Sequence, residues 1–348
     1  MSYTHTKIWT VDKNKKTLPS DPSIVEAADY IKRGEVVAFP TETVYGLGAD
    51  ASSREAVNKI FAAKGRPGDN PLIVHIADYP HLDNLNVQVD DVERRLMEAF
   101  WPGPLTIVLH GIFPVSANVT AGLDTLAVRM PDHPVALALI KASGKALAAP
   151  SANLSGRPSP TKASHVTFDL DRRIAGVVDG GETGYGLEST VVEWKDGVCW
   201  ILRPGGVTKE QIEKLLPDTP VRNEAGSSQE APKSPGTKYR HYAPDTPLFL
   251  IEESRIMNEV RRARKQGKKT GVLSSSESYK DLAEEADFCL DMGSVHTPEV
   301  FSSRLYSALR EADEHRLDVL FCPVFEETEM GAALMNRLKK AAEEPAAE

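Results

Sequence analysis

Two short stretches of this chain, Lys64-Gly65-Arg66-Pro67 and Pro150-Ser151-Ala152-Asn153, carry side chains whose types and spacing can do chemistry together. A lysine and an arginine flanking one glycine supply a point charge and a planar fork, both suited to phosphate oxygens. Serine and asparagine in the second stretch add a hydroxyl and an amide that can hold an oxyanion. Placed at the mouths of two strands, such groups describe a site for a polyphosphate and a small polar substrate, and so an enzyme. Other loops extend the pattern. Pro40-Thr41-Glu42-Thr43-Val44-Tyr45-Gly46-Leu47-Gly48 is too polar for a strand and fits either a turn capped by its threonines or a ligand loop. Lys64 and Arg66 also suit the negative end of a helix dipole, and His75 also reads as a satisfied core histidine. Arg129 closes the apolar run Leu126-Ala127-Val128, and a buried guanidinium there needs an anion, either a carboxylate side chain or a ligand. Ser151 and Asn153 can equally cap a turn, and Ser151, outside any Gly-x-Ser-x-Gly elbow, is a poor nucleophile. Glu188-Ser189-Thr190 and Arg203-Pro204-Gly205 repeat the theme, and one shared polar cavity explains all these loops better than coincidence does.

The elements that must position these loops alternate between helix and strand. Asp21-Pro22 opens a helix with Ile24, Ala27, Ala28 and Ile31 on one face, stopped at Gly34, and Ser53 opens another that ends at Gly65. Strands are expected at 36–39, 72–76, 105–109, 126–129, 146–149, 176–179, 190–193 and 199–202. Thr208 to Gln211 matches a capping box that starts a helix ending near Leu216. Residues 217–245 lose periodicity and gain Pro, Ser and Gly, as an interdomain linker would. Beyond them, short apolar strands at 248–251, 270–273, 288–290 and 319–322 alternate with helical stretches at 300–310 and 332–340. That pattern describes a small parallel, Rossmann-like α/β domain without a phosphate-binding glycine fingerprint. The expected organisation is a catalytic domain at 1–216, a linker at 217–245 and a C-terminal domain at 246–348.

Composition removes several classes of function. With 348 residues, 41% hydrophobic and 26% charged, the chain is an ordinary globular protein long enough for two domains. Cys199, Cys289 and Cys322 form no Cys-x-x-Cys pair, so neither a disulfide framework nor a zinc knuckle is expected, and a reducing cytoplasm fits. The N-terminus lacks an apolar signal region, and no run is long enough to span a bilayer. A net charge of -9 gives no global field for nucleic acid, so an anion site must be a local concentration of cations. No P-loop and no His-x-x-x-His occurs. Gly46-Leu47-Gly48-Ala49-Asp50-Ala51 matches a loose dinucleotide fingerprint. However, Pro40 to Tyr45 separate it from the preceding strand, and Arg66 stands where an acidic ribose ligand is expected.

Taken together, the motifs carry a resemblance. The Pro40 to Gly48 loop, Lys64-x-Arg66, Asn70-Pro-Leu-Ile-Val-His75, Trp101-Pro-Gly-Pro-Leu-Thr106, Arg129-Met130-Pro131, Pro150-Ser-Ala-Asn-x-Ser-Gly156 and Glu188-Ser-Thr190 closely resemble the YrdC-like L-threonylcarbamoyladenylate synthases. The match is colinear over about residues 20 to 216. Pro235-Gly-x-Lys-Tyr-Arg-His-Tyr-Ala-Pro244 and the trailing domain resemble the longer, two-domain members. The resemblance implies a twisted, mixed YrdC-like sheet with a cationic cavity. It also implies synthesis of threonylcarbamoyl-AMP and pyrophosphate from L-threonine, bicarbonate or CO2, and ATP. The product would pass to the machinery that threonylcarbamoylates adenosine in tRNA, with at most a weak direct tRNA contact. By motif, Thr41, His75, Arg129 and Ser189 are implied near threonine, and Lys64, Thr125, Ser151, Ser159, Arg203 and Tyr242 near ATP. Arg66 and Asn153 complete the two signature motifs and join Lys64 and Ser151 as the expected catalytic set.

The implied chemistry is nucleophilic attack by the threonine amine on a one-carbon acceptor, then attack by the carbamate oxygen on the α-phosphorus of ATP. Electrostatic stabilisation by Lys64, Arg66 and Arg203 should outweigh proton transfer, with no covalent intermediate. Magnesium is expected to arrive with ATP rather than in a carboxylate cage. The linker motif Lys238-Tyr239-Arg240-His241-Tyr242, basic and aromatic, is expected to close as a lid or to serve as a solvated hinge. Two other classes remain open. A tRNA or double-stranded RNA binding module is opposed by the acidic charge and sparse aromatics. A hydrogenase-maturation carbamoyltransferase would need cysteine-rich zinc modules that three scattered cysteines do not supply.

Overall fold

The computed structural model describes residues 3–224 and 242–343. Contacts divide the chain into two units. The first holds Met1–Ser155, Ser159–Gly184 and Glu188–Lys238, and the second holds Gly156–Pro158, Tyr185–Leu187 and Tyr239–Glu348.

The first unit is built on a twisted mixed sheet. Its strands are β1 (Lys7–Thr10), β2 (Val37–Phe39), β3 (Gly46–Asp50), β4 (Val74–His75), β5 (Val87–Gln88), β6 (Leu105–Gly111), β7 (Thr125–Arg129), β8 (Leu147–Ala148), β9 (Gly176–Asp179), β10 (Thr190–Lys195), β11 (Val198–Arg203) and β12 (Val221–Asn223). They lie in the order β1-β9-β2-β3-β8-β4-β7-β6-β10-β11-β12, with β5 beside β6. Successive side chains on a strand point to opposite faces, and the central strands use that alternation fully. Val74, Leu105, Ile107, Leu109, Leu126, Val128, Val192 and Ile201 join the main core with Val57, Ile60 and Phe61 of the helix Arg54–Lys64. Each of those three helix residues contributes about 2 kcal/mol by burial. The opposite face carries a small apolar floor of Ile73, Val108, Ala127, Val191 and Leu202. His75, Thr106 and Arg129 alternate in phase with that floor.

Local chemistry sets the ends of the elements. Asp21 Oδ1 accepts from Ser23 N at the start of Pro22–Lys32, and Ser53 Oγ accepts from Ala56 N at the start of Arg54–Lys64. Gly65, at φ +63°, stops the second helix in the left-handed region that glycine adopts without strain, so Lys64 and Arg66 fall on either side of the stop.

Three local expectations change. Gly46 to Asp50, expected to be loop, is a buried strand paired with β2 and β8. Its glycines admit an aromatic ring: a Cβ on Gly48 would meet Phe39 Cε1 at 2.6 Å. They therefore form no phosphate-binding turn. Lys7–Thr10 is an additional edge strand parallel to β9, and its short, half-exposed sequence gave no periodic signal. Val221–Asn223, inside the stretch expected to be linker, pairs parallel to β11.

The second unit contains β13 (Leu248–Ile251), β14 (Thr270–Ser274), β15 (Phe288–Asp291) and β16 (Val319–Pro323), all parallel, in the order β13-β16-β14-β15. Ile256, Val260, Val272, Leu282, Val319 and Phe321 form one of its cores. Among the described residues, no helix is long and apolar enough to cross a membrane.

Candidate active site

The two opening motifs meet. Lys64 Nζ donates to Ser151 O at 2.6 Å, Asn153 O at 2.7 Å and Asn153 Oδ1 at 3.4 Å. The loop that receives it is itself tied to β3, with Leu47 N donating to Pro150 O and Ala152 N to Tyr45 O. Lys64 is only 3% exposed, and burial, together with the nearby Arg66 cation, holds its pKa well below the ordinary lysine value. With three carbonyl oxygens around its ammonium, Lys64 shapes the Ser151–Asn153 loop. Arg66, half-buried, donates to Asn70 O at 3.4 Å.

Arg129 receives its anion from the polar loop. Nη2 donates to Glu42 Oε1 at 2.6 Å, Nη1 to Thr43 Oγ1 at 2.9 Å and Nε to Gly103 O at 3.2 Å. His75 is directly beside Arg129 in the β4–β7 register. Its Nδ1 lies 3.2 Å from Ile73 O, so the proton sits on Nδ1 and Nε2 is the acceptor. Burial, with the Arg129 charge, pushes its pKa down to about 3, so the ring is neutral. Thr41 is bonded within its own loop. Its Oγ1 donates to Val44 O and accepts from Thr43 N and Val44 N, with Thr43 Oγ1 at 2.9 Å, so it organises the loop internally.

A third group lies at the ends of β10 and β11. Ser189 Oγ is 2.7 Å from Thr106 Oγ1, and Arg203 Nη2 donates to both Ser189 O and Ser189 Oγ. A register shift makes Val191 oppose Arg203 and Val192 oppose Ile201, and this bulge turns Arg203 onto the face that carries Ser189. Ser189 and Arg203, implied for different substrates, therefore touch. Ser159 Oγ donates to Glu188 Oε1 at 2.6 Å, beside this strand end. Thr125 opens β7 and pairs with His110, four residues from Arg129 on the same face and so about 13 Å away along the strand. Ala127 of the apolar floor lies between them. Tyr242 belongs to the second unit, where it stacks on Tyr306 at 5.5 Å and has the Arg337 guanidinium 5.5 Å from its ring. Lys238 to His241 of the lid motif lie outside the described residues.

Sequence reasoning missed Glu42, Thr43, Thr106 and Asn70 as members of the cluster. Glu42 and Thr43 lay within a loop already singled out, and the uncompensated charge of Arg129 was the signal for Glu42. Asn70 is fully buried, and neither Nδ2 nor Oδ1 has a partner among the described residues. A buried amide in that state marks a place that a ligand or water completes.

The chain matches two family models. The Sua5/YciO/YrdC model, described as "Telomere recombination", matches residues 29–205, and the Sua5_C model, described as "Threonylcarbamoyl-AMP synthase, C-terminal domain", matches 207–343. It is 50% identical to the threonylcarbamoyl-AMP synthase of Bacillus subtilis over 97% of this chain and 98% of that one. A putative threonylcarbamoyl-AMP synthase of Mycobacterium tuberculosis is 37% identical over 56% of this chain and 88% of its own length. The crystal structure of P. abyssi Sua5 complexed with L-threonine superposes with a TM-score of 0.89 at 43% identity, covering 97% of this chain and 98% of that one. The fold and motifs agree with these matches along nearly the whole length, and the chain belongs to the Sua5/YrdC family of threonylcarbamoyl-AMP synthases, in its two-domain form.

Proposed function

We propose that this protein makes threonylcarbamoyl-AMP and pyrophosphate from L-threonine, bicarbonate or CO2, and ATP, for the modification of adenosine in tRNA. The single observation that carries the reading is the buried guanidinium of Arg129 beside the neutral ring of His75, on a sheet face whose far strands end in Arg203 and Ser189. Arginine has five N–H donors, and the three bonds to Glu42, Thr43 and Gly103 leave one on each Nη for a substrate carboxylate. His75 Nε2 accepts a hydrogen bond from the threonine hydroxyl, which valine lacks, so valine leaves a buried acceptor unpaired and is rejected. The relative solved with L-threonine supports placing an amino acid in this fold.

The triphosphate lies along the polar ends beyond the apolar floor. Arg66 and Arg203 neutralise charge as pyrophosphate departs, Asn70 Nδ2 gives a neutral donor, and Lys64 holds Ser151 and Asn153 in position. Thr125, Ser159 and Tyr242 retain their proposed places on the nucleotide side. Magnesium is proposed as the companion of ATP, taking its oxygen ligands from phosphates and water, where it supplies further charge neutralisation. Three free thiols fit a reducing cytoplasm, and the product is proposed to pass to the tRNA-modifying machinery with at most weak direct RNA contact.

The test is pyrophosphate release in mixtures lacking one substrate at a time, with the product identified by mass spectrometry. Release should require threonine, bicarbonate and ATP together and yield threonylcarbamoyl-AMP. Release indifferent to threonine would sink the reading, and salt-sensitive RNA binding without turnover would favour the binding-module alternative.

A further inference from the structure

Glu42 presents a carboxylate oxygen that the fold leaves unused. Oε1 accepts from Arg129 at 2.6 Å, whereas Oε2 is buried and has no hydrogen-bond partner among the described residues. The backbone that carries it is pinned: Gly184 N donates to Glu42 O, the flanking Thr41 and Thr43 are bonded to each other, and Thr43 Oγ1 accepts from Arg129. An ionised oxygen that is buried and unpartnered is costly, by several kcal/mol in general, so it marks an acceptor waiting for a donor.

We propose that Glu42 is the group that binds the ammonium of the amino-acid substrate on Oε2 and removes its proton, freeing the amine to attack the one-carbon acceptor. This inference rests on the assignment of Arg129 to the substrate carboxylate. Charge conservation favours it. In the free protein the buried pair is Arg129 cation and Glu42 anion. An amino acid arrives as a zwitterion with no net charge. Its carboxylate takes over as the partner of Arg129, and a proton passing from nitrogen to Oε2 leaves Glu42 neutral and the amine uncharged. The site gains no net charge when the amino acid binds or when the proton passes to Oε2, as a buried cavity favours.

The atoms balance. One N–H bond breaks with its electron pair staying on nitrogen, and one O–H bond forms on Glu42. The nitrogen lone pair then forms the C–N bond. With bicarbonate, the next proton on nitrogen leaves in the water that is expelled; with CO2, it passes to solvent.

The neighbouring groups are unsuited to the task. His75 is held neutral with a strongly depressed basicity, so it is a poor proton acceptor. His133 Nδ1 accepts from Val135 N, so its proton is on Nε2, and that atom is a donor group rather than a base. Lys64 Nζ is committed to three carbonyl oxygens. The charged and titratable groups that act on Glu42 are Arg129 from β7 and Asp132 and His133 after it.

The experiment compares wild type, Glu42→Gln and Glu42→Asp in threonine-dependent pyrophosphate release from pH 6.5 to 9.5, with circular dichroism and ATP binding as controls for the fold. Glutamine preserves the acceptor for Arg129 but cannot take a proton. Its kcat should fall about 100-fold at neutral pH and rise toward the wild-type rate as the free amine becomes populated at high pH. Aspartate should keep part of the rate with a wild-type-shaped profile. A folded Glu42→Gln within about threefold of wild type, with an unchanged profile, overturns the inference while leaving the proposed function standing. Wild-type release that ignores threonine overturns both. A second measurement needs no variant: 2,3-dihydroxybutyrate, with a hydroxyl in place of the amine, should bind the wild-type protein at least about tenfold more weakly than threonine, and equal binding overturns the assignment.

Discussion

At the scale of single residues, the two cations of the first motif have separate duties. Lys64 is buried against three carbonyl oxygens, and Arg66 is half-buried. Arg66→Ala should lower turnover about 100-fold and cost less urea stability than Lys64→Ala, because Arg66 is only half-buried and is proposed on the phosphate side. Lys64→Ala should lower both turnover and stability, the latter by about 2 kcal/mol, because it leaves the carbonyls of the Ser151–Asn153 loop unpaired. Equal stabilities of the two variants would refute that division. His75 yields a pH prediction. Its pKa falls from 6.5 to about 3 on folding, so below pH 6.5 the unfolded state binds the proton first, and stability declines as pH falls toward 3. Between pH 7 and pH 5 this amounts to about 2 kcal/mol. Glu93, raised by burial to about 7, has the opposite sign: its contribution is full below its ordinary value of 4.5 and is lost as pH rises through 7. Comparing His75→Asn with wild type by urea titration at the two pH values isolates the histidine, and the variant should lose about 2 kcal/mol less.

At the scale of elements, the site depends on which face a strand shows and on where the register slips. Alternation along β4, β6 and β7 sends Val74, Ile107 and Val128 into the main core and His75, Thr106 and Arg129 to the other side. The bulge between β10 and β11 brings Arg203 to Ser189. β3 lies against Phe39 only because positions 46 and 48 lack a Cβ. Gly48→Ala would place that atom 2.6 Å from Phe39 Cε1 and 3.3 Å from Leu147 Cδ1. It should destabilise the protein by about 1–3 kcal/mol in urea titration, and adding Phe39→Leu should recover part of the loss. A neutral effect would show that the ring moves aside freely.

At the scale of the whole molecule, each unit has its own sheet and its own core, and relatives are found that correspond to little more than half of this chain. A chain ending at residue 224 should therefore unfold in one cooperative urea transition, with a smaller m value than the full protein. Loss of a cooperative transition in that chain would show that the first unit needs the second to fold.

Much of this was legible in the sequence because it depends on local chemistry. Helix starts at Asp21-Pro22 and Ser53, the stop at Gly65 and the four strands of the second unit follow from caps, glycine and apolar period, which neighbouring residues decide. The polar loops, and the need of Arg129 for an anion, were also visible, since an isolated buried guanidinium is costly wherever it lies. What the tertiary structure alone decided was pairing across long separations. Glu42 meets Arg129 and Lys64 meets Asn153 only because β2, β3, β8, β4 and β7 lie in a spatial order unlike their chain order. The same folding turned Thr41 inward and made a strand of Gly46 to Asp50. A hydrogen bond or a contact with Phe39 is settled by the neighbour across the sheet, which no local pattern specifies.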